Sequence, residues 1–163
     1  MTSDNQMPKN ARHPRFEFAF EAHLDVGRPV FIPNVPSGGQ RGFAPILGGD
    51  FDGPRLRGII RPGGGDWPHA RMDGVGASDS RCVLENEDGT LIYMQNRAYR
   101  HGPPEVIERV LQRLEVDPDT YYFVSAPVFE TSLGQHDWLT KHIFVAIGDR
   151  TPEKLIFRVF MVS

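Results

Sequence analysis

Cysteine is almost absent from this sequence, whose 163 residues contain only Cys82. A single cysteine excludes an intramolecular disulfide framework, and no cysteine pair has the spacing of a zinc site. We expect Cys82 to be a small buried hydrophobic residue rather than a nucleophile, because nothing in the sequence places it beside a histidine. A serine nucleophile is not indicated either, since the chain has no GxSxG motif.

Basic residues and long apolar runs are also scarce. Lysine and arginine number 18 against 21 acidic residues, the net charge is −3, and no run of five basic residues occurs, which argues against nucleic-acid binding. Mean hydropathy is −0.37, and no stretch approaches the roughly 18 apolar residues of a spanning helix. The N-terminal segment has no apolar signal-peptide core. We expect a cytoplasmic protein whose partner is a small molecule, with no nucleic acid and no membrane, and we leave a homodimer open.

Glycine and proline, by contrast, are abundant, at 17 and 14 residues scattered along the chain. This composition is a poor fit to long helices and coiled coils. The length is typical of one domain. We expect a disordered leader over residues 1–14 and a single domain over residues 15–163.

Short alternating segments predict a β protein. In residues 16–26 apolar side chains occupy every second position, which is the period of a half-buried strand. The EDGT segment at 87–90 predicts a tight hairpin turn, because Gly89 tolerates the positive φ that such a turn requires. Further strands are predicted at 43–47, 56–61, 70–75, 80–87, 91–97, 121–129, 139–147 and 154–162.

One amphipathic helix is predicted over residues 105–114, where Val106, Val110 and Leu114 lie on one apolar face. Short strands at regular spacing around a single helix indicate an all-β fold, either a sandwich or a barrel. We favour a single antiparallel β-barrel of about eight to ten strands, because closure removes exposed strand edges.

Alternation within residues 79–85 places Asp79 and Arg81 on one face and Ser80 and Cys82 on the other. Two interpretations stay open. The charged face is the solvated exterior of an ordinary sandwich, or polar groups line the lumen of a barrel that opens as a ligand cavity.

Five aspartates and five arginines interleave with glycine clusters between residues 48 and 81, but no phosphate-binding GxGxxG or GxxxxGK[ST] motif occurs there. The ordered motifs GGDFDGPRLRG, RPGGGDWPHARMDG, SDSRCVLENEDGTLIY, APVFET and HDWLTKHIFVAIGDR resemble the family called domain of unknown function 3237, from about residue 16 to the C-terminus. The resemblance implies a small soluble antiparallel β-barrel and leaves the activity unassigned. The family's recurring polar and aromatic positions match Asp66, Trp67, Arg71, Asp73, Asp79, Arg81, Glu130 and Trp138.

The HDWLTKH segment is a candidate for chemistry. If it is extended, His136, Trp138, Thr140 and His142 share one face. Proton transfer by a histidine requires only a substrate proton within reach and a suitable pKa, whereas a metal site would need a third ligand. We expect no metal and no cofactor.

Two carboxylates, two arginines and two tryptophans are further candidate site residues. Glu130 ends a predicted strand, where it can face a barrel mouth, and Asp66 lies within the family motifs. Arg71 and Arg81 can hold an anion, because a guanidinium fork binds two oxygens at once. The structural alternative is that these arginines pair with neighbouring aspartates such as Asp73. Tryptophans 67 and 138 can wall in a flat ligand or simply pack in a core.

These residues favour a cofactor-independent enzyme that acts on a small aromatic or unsaturated carbonyl compound by proton transfer, as an isomerase, tautomerase, hydratase or lyase. The alternative is a barrel that binds or carries a small molecule without chemistry. A third hypothesis, a protein-interaction module, predicts a lumen filled by side chains. The candidate catalytic residues are Glu130, His136 and Asp66, and the candidate substrate-binding residues are Arg71, Asp73, Arg81, Trp67, Trp138, Thr140 and His142.

Overall fold

The computed structural model describes residues 11–163, and most of that range is β-sheet. A single α-helix in this range, α1 (Pro104–Leu111), follows the eighth strand, and two short 3₁₀ helices lie at Pro118–Thr120 and Asp137–Thr140. None of the helices described is long and apolar enough to cross a membrane. The strands are β1 Phe16–Val26, β2 Val30–Ile32, β3 Gln40–Asp52, β4 Arg57–Ile60, β5 Gly64–Asp66, β6 His69–Ala70, β7 Gly76–Asn86, β8 Leu91–His101, β9 Tyr122–Thr131, β10 Ile143–Arg150 and β11 Leu155–Val162.

The sheet closes on itself. Its order runs β1, β11, β10, β9, β8, β7, β4, β3, and β3 pairs again with β1. Strands β4, β5 and β6 follow one another between β3 and β7, so together they fill one of eight positions, while β2 adds to the edge of β3. All pairings are antiparallel. The predicted fold class is confirmed: the protein is a closed eight-stranded antiparallel barrel with extra strands and one helix within residues 11–163.

The barrel has two distinct ends, which strands β7 and β8 connect. At one end the β7–β8 hairpin follows Asn86; this is called the hairpin end. At the other end Gly76 of β7 pairs with Arg100 of β8, just before α1; this is called the helix end. Ten residue steps separate Gly76 from Asn86, or roughly 30 Å of strand.

Alternation along β1 explains how the core fills. Phe20, Ala22 and Leu24 are buried in the lumen, as the period-2 pattern predicts. A β-bulge between Phe18 and Phe20 shifts the register, so Phe18 lies partly exposed against Phe160 on the outside. Large buried side chains then occupy the middle and the hairpin end of the lumen: Phe20, Phe51, Leu84, Ile92, Leu139 and Phe144.

The turn at 87–90 confirms the hairpin prediction. The Asn86 N–H donates to the Thr90 carbonyl at 2.9 Å, and the Gly89 N–H donates to the Asn86 carbonyl at 2.8 Å. Gly89 has φ +85°, as the last position of a three-residue hairpin loop requires.

Two predicted strands are wrong in part. Only Ala70 of the segment 70–75 belongs to a strand, and Arg71–Val75 form a turn closed by a 2.9 Å hydrogen bond from the Arg71 N–H to the Val75 carbonyl. The strand expected at 139–147 begins at Ile143, because 137–140 form a 3₁₀ helix. Residues 1–10 of the expected leader 1–14 lie outside the described residues, and the single-domain assignment stays a prediction.

Gly148 on β10 makes room for an aromatic side chain. A β-carbon at this position would lie 2.5 Å from the ring of Phe123, which packs between β10 and the lumen. We expect Gly148→Ala to destabilise the fold by about 1–3 kcal/mol through overpacking, measured by denaturant unfolding. The matched control is Gly76→Ala, whose β-carbon would meet nothing closer than 3.6 Å. Equal stability of the two variants would contradict this account of Gly148.

Candidate active site

The helix end of the lumen holds a cavity of about 130 Å³. An engineered cavity of about 150 Å³ in another protein binds benzene, so this volume suits a compound of roughly one ring. The walls are largely apolar and come from the ends of several strands and from α1: Val26, Phe31, Phe123, Phe157, Val110 and Leu111. The mouth is marked by Phe31 and Leu111, whose side chains are partly exposed.

Small side chains on the inner face of the barrel create this space. On β7 the lumen-facing positions at this end are Ser78 and Ser80. On β8 and β10 the inner face carries Ala98 and Gly148, each followed two residues later by an arginine. Because side chains alternate along a strand, Arg100 and Arg150 therefore line the cavity.

Asp66 brings a carboxyl group to the same cavity. It ends β5 opposite Ser80 of β7, and its Oδ1 is buried without a hydrogen-bond partner among residues 11–163. Burial raises the pKa of Asp66 to about 6, although the charge of Arg100 and the backbone N–H of Trp67 act to lower it. A carboxyl group with a pKa near 6 can accept or release a proton close to neutral pH.

Arg150 is a buried cation, and Arg100 is a half-buried one. Burial lowers the pKa of both guanidinium groups, to about 10 for Arg150, where Arg113 and Arg100 repel the same charge. The Nε of Arg100 is buried without a hydrogen-bond partner in the described range. Together with Asp66, these groups supply one proton carrier and hydrogen-bond donors for an oxyanion.

Most of the residues singled out between 66 and 81 lie outside the barrel, and Asp66 is the exception. Trp67 is about half exposed and packs on Phe43 with ring centroids 5.4 Å apart. Arg71 pairs with Asp73 in the exposed turn before β7. Arg81 faces outward on β7 with its guanidinium 3.5 Å from Asp79. The charged face of β7 is thus exterior, while the lumen carries its own polar groups.

The HDWLTKH segment lies at the hairpin end, far from the cavity. Because it forms a 3₁₀ helix, the expected shared face is wrong: His136 and Trp138 are buried, whereas Thr140 and His142 are exposed. The Oγ1 of Thr140 donates to the Asp137 carbonyl at 2.8 Å, and Nδ1 of His142 lies 2.8 Å from the Trp138 carbonyl oxygen.

Two further candidates, Trp138 and Glu130, do not line the cavity either. Trp138 packs on Phe144, and the Arg55 guanidinium lies 3.9 Å from the centre of its ring. Glu130 is exposed on the outer face of β9.

Cys82 is buried as expected, and burial raises the pKa of its thiol to about 12. No group of three or more His, Cys, Asp or Glu within residues 11–163 is placed to hold a metal ion.

His136 fastens the 3₁₀ helix to the β7–β8 hairpin. Its Nε2 lies 2.6 Å from Asp88 Oδ2 and 3.4 Å from Asn86 Nδ2. We expect His136→Ala to destabilise the fold by about 2 kcal/mol, because it leaves a buried gap and breaks the bond to Asp88. Thermal or denaturant unfolding measures this loss. If stability were unchanged, the fastening role of His136 would be wrong.

Sequence reasoning missed Arg100 and Arg150. The available signal was the run of small inner-face residues that precedes each arginine: Asn96 and Ala98 before Arg100, and Ala146 and Gly148 before Arg150. Small residues facing a lumen indicate unfilled space, and an arginine in the same register must face that space.

Comparison with known proteins assigns the chain to a family. The model of a family described as a protein of unknown function, DUF3237, matches residues 14–162. The chain belongs to the DUF3237 family. The resemblance noted from its motifs is therefore confirmed, and so is the fold that this resemblance implied.

Relatives of this DUF3237 protein cover nearly its whole length. A UPF0311 protein of Clostridium acetobutylicum is 33% identical over 154 residues, which cover 94% of this chain and 98% of the relative. A UPF0311 protein of Rhodopseudomonas palustris is 31% identical over 146 residues, covering 90% of this chain and 95% of that one.

Solved structures show the same barrel. A protein of unknown function from Rhodopseudomonas palustris superposes with a TM-score of 0.89 at 26% identity, covering 94% of this chain and all of that one. A β-barrel-like protein from Acinetobacter baumannii superposes with a TM-score of 0.82 at 31% identity, covering 96% of this chain and all of that one. An enzyme from Penicillium herquei superposes with a TM-score of 0.70 at 17% identity, covering 96% of this chain and all of that one. At this identity the likeness extends to the fold alone.

Proposed function

We propose that this DUF3237 protein is an enzyme that transfers a proton on a small aromatic or unsaturated carbonyl compound, without a cofactor, in the cavity of Asp66 and Arg100. The observation that carries the proposal is a carboxyl group with a pKa of about 6, whose Oδ1 is buried without a partner among residues 11–163, in the same cavity as the buried and equally unpartnered Nε of Arg100. Perturbed titratable groups in a cavity are typical of catalytic sites.

Each residue has a defined role in this reaction. The Asp66 carboxylate removes a proton from the carbon next to a carbonyl group, and the electron pair of the C–H bond forms a carbon–carbon double bond. The carbonyl oxygen becomes an enolate oxygen, which Arg100 stabilises by charge and hydrogen bonding. Asp66 then delivers the proton to the enolate oxygen, which completes a tautomerisation, or to the far carbon of an unsaturated substrate, which moves the double bond and completes an isomerisation. Phe123 and Phe157 hold the flat part of the substrate.

The number of carboxyl groups favours one reaction type. Among the residues of 11–163 that line the cavity, Asp66 is the one carboxyl group. The same group therefore both removes and returns the proton. This favours tautomerisation or isomerisation over hydration and elimination, in which a second acid or base commonly assists the departing or attacking oxygen.

Two further considerations support catalysis in this barrel. The protein from Penicillium herquei with the same fold is described as an enzyme; this is an analogy of fold and says nothing of the substrate here. The helix end of the lumen is open while the rest is filled, which suits a ligand site better than a module that only contacts other proteins.

Solvent deuterium exchange on a panel of carbonyl compounds tests the proposal. The protein is incubated in D₂O with cyclohexanone, cyclohex-2-enone, phenylpyruvate and 4-oxopentanoate, and deuterium next to each carbonyl group is followed by NMR. We expect at least one compound to exchange at least tenfold faster than in buffer. Compounds that bind in the cavity without faster exchange would contradict the enzyme and support the carrier.

A further inference from the structure

The arginines that have carboxylate partners in this protein lie on its surface. Within residues 11–163 there are six of them, all exposed or half-buried; among them Arg57 lies 2.8 Å from Asp52, Arg61 lies 2.5 Å from Glu85, and Arg158 lies 2.7 Å from Glu21. Ionised side chains in protein interiors are ordinarily paired, whereas exposed ones have no such need. Arg150, the one buried arginine of residues 11–163, and Arg100, whose Nε is buried, should therefore have carboxylate partners.

Arg150 and Arg100 have no such partner. Neither guanidinium lies within 4.0 Å of an acidic oxygen anywhere in residues 11–163. Arg150 is only 7% exposed, and its backbone N–H donates to the Tyr121 hydroxyl at 3.1 Å. Nε of Arg100 is buried without a partner in the same range. Both side chains line the cavity.

The cavity therefore holds an excess of positive charge. Arg100, Arg113 and Arg150 line it against the single carboxyl group of Asp66 among the described residues. Arg113 also donates a 2.7 Å hydrogen bond to the Gly27 carbonyl, which fixes it at the rim. The charge excess is two when Asp66 is ionised and three when it is protonated. Burying unpaired cations side by side is costly, and an anion in the cavity would offset that cost.

We infer that the ligand of this cavity is a small organic carboxylate, whose carboxylate group binds Arg150 and whose apolar part lies against Phe123 and Phe157. The planar guanidinium matches a carboxylate, which accepts two parallel hydrogen bonds. The apolar walls favour an organic acid over inorganic phosphate. This inference rests on the proposed function for the site and adds the substrate class: an aromatic or unsaturated oxo acid.

Equilibrium binding by calorimetry tests the inference independently of turnover. Benzoate, crotonate and phenylpyruvate are compared with their uncharged amides, and with inorganic phosphate, at pH 7.5. We expect at least one acid to bind at least tenfold more tightly than both its amide and phosphate. The inference is overturned if no acid outbinds its amide tenfold, or if phosphate binds more tightly than every acid.

One variant locates the anion, and a second serves as control. Arg150→Met is expected to weaken binding of the preferred acid at least tenfold and to leave its amide unchanged. Without ligand, this variant should melt at a higher temperature than the wild type, because it removes an unpaired buried charge. The control Arg97→Met changes an arginine of β8 that points outward, 3.7 Å from Asp79, and should alter neither property. Undiminished acid binding by Arg150→Met would overturn the placement.

The outcomes separate this inference from the proposed function. An acid that binds through Arg150 but shows no deuterium exchange supports the carboxylate site and contradicts catalysis. Exchange of a neutral ketone, with no preference for acids, supports catalysis by Asp66 and contradicts the carboxylate site.

Discussion

Asp66→Asn is expected to slow deuterium exchange of the preferred carbonyl compound by about 10²–10⁴-fold, the range that a general acid or base contributes. Asparagine keeps the size and shape of the side chain but cannot take up the proton. Because Oδ1 of Asp66 has no partner among residues 11–163, the amide also breaks no hydrogen bond at that atom. Binding of the compound should therefore survive while exchange is lost, measured by calorimetry and NMR on the same samples.

A second aspartate provides the control for this variant. Asp52 is exposed at the hairpin end of β3 and pairs with Arg57, so Asp52→Asn should leave exchange at the wild-type rate. His136→Ala, although less stable, should also exchange at that rate. Exchange that persists in Asp66→Asn would remove Asp66 from the mechanism. Exchange that fails in His136→Ala below its melting temperature would contradict the purely structural role of His136.

Stability should depend on pH through Asp66. Its pKa is about 6 in the folded protein against 3.8 ordinarily, so between these values the folded state binds more protons than the unfolded state. The free energy of unfolding then falls as the pH rises through this window. The two values differ enough to cost about 3 kcal/mol at pH 7 relative to pH 3.5.

The same variant isolates this contribution. Asp66→Asn has no titrating group at the position, so its free energy of unfolding minus that of the wild type should rise by about 3 kcal/mol from pH 3.5 to pH 7. Other titrating groups are common to both proteins and cancel in the difference. Urea unfolding at several pH values measures it. A difference that is flat with pH would show that the pKa of Asp66 is not raised.

The fold was largely predictable because barrel strands leave local signals. The alternation in β1, the Asp-Gly turn at 88–89 and the apolar spacing of α1 each depend on a few neighbouring residues. Predictions were wrong where tertiary contacts decide the conformation. Residues 137–140 form a 3₁₀ helix whose Trp138 and Leu139 close the hairpin end, and extended backbone would not bury both.

The site was less predictable because the lumen exists only once the sheet has closed into a barrel. Asp66 was identified within the family motifs, but Arg71 and Arg81 nearby point to solvent. Which face of each strand lies inside depends on pairings such as Asp66 with Ser80 and Gly76 with Arg100, between residues 14 and 24 positions apart. The sequence shows that side chains alternate along each strand, but it does not show which of the two faces of that strand points into the lumen. The candidate residues chosen from the sequence therefore lie in the cavity, at the hairpin end and on the outer surface.

A crystal structure of the complex with the preferred carbonyl compound tests the central claim most directly. The account predicts the compound at the helix end, with its reacting carbon next to Asp66 and its oxygen on Arg100. Density beside His136 and Trp138 at the hairpin end, or on the outer surface near Arg71, with the cavity free of the compound, would contradict it.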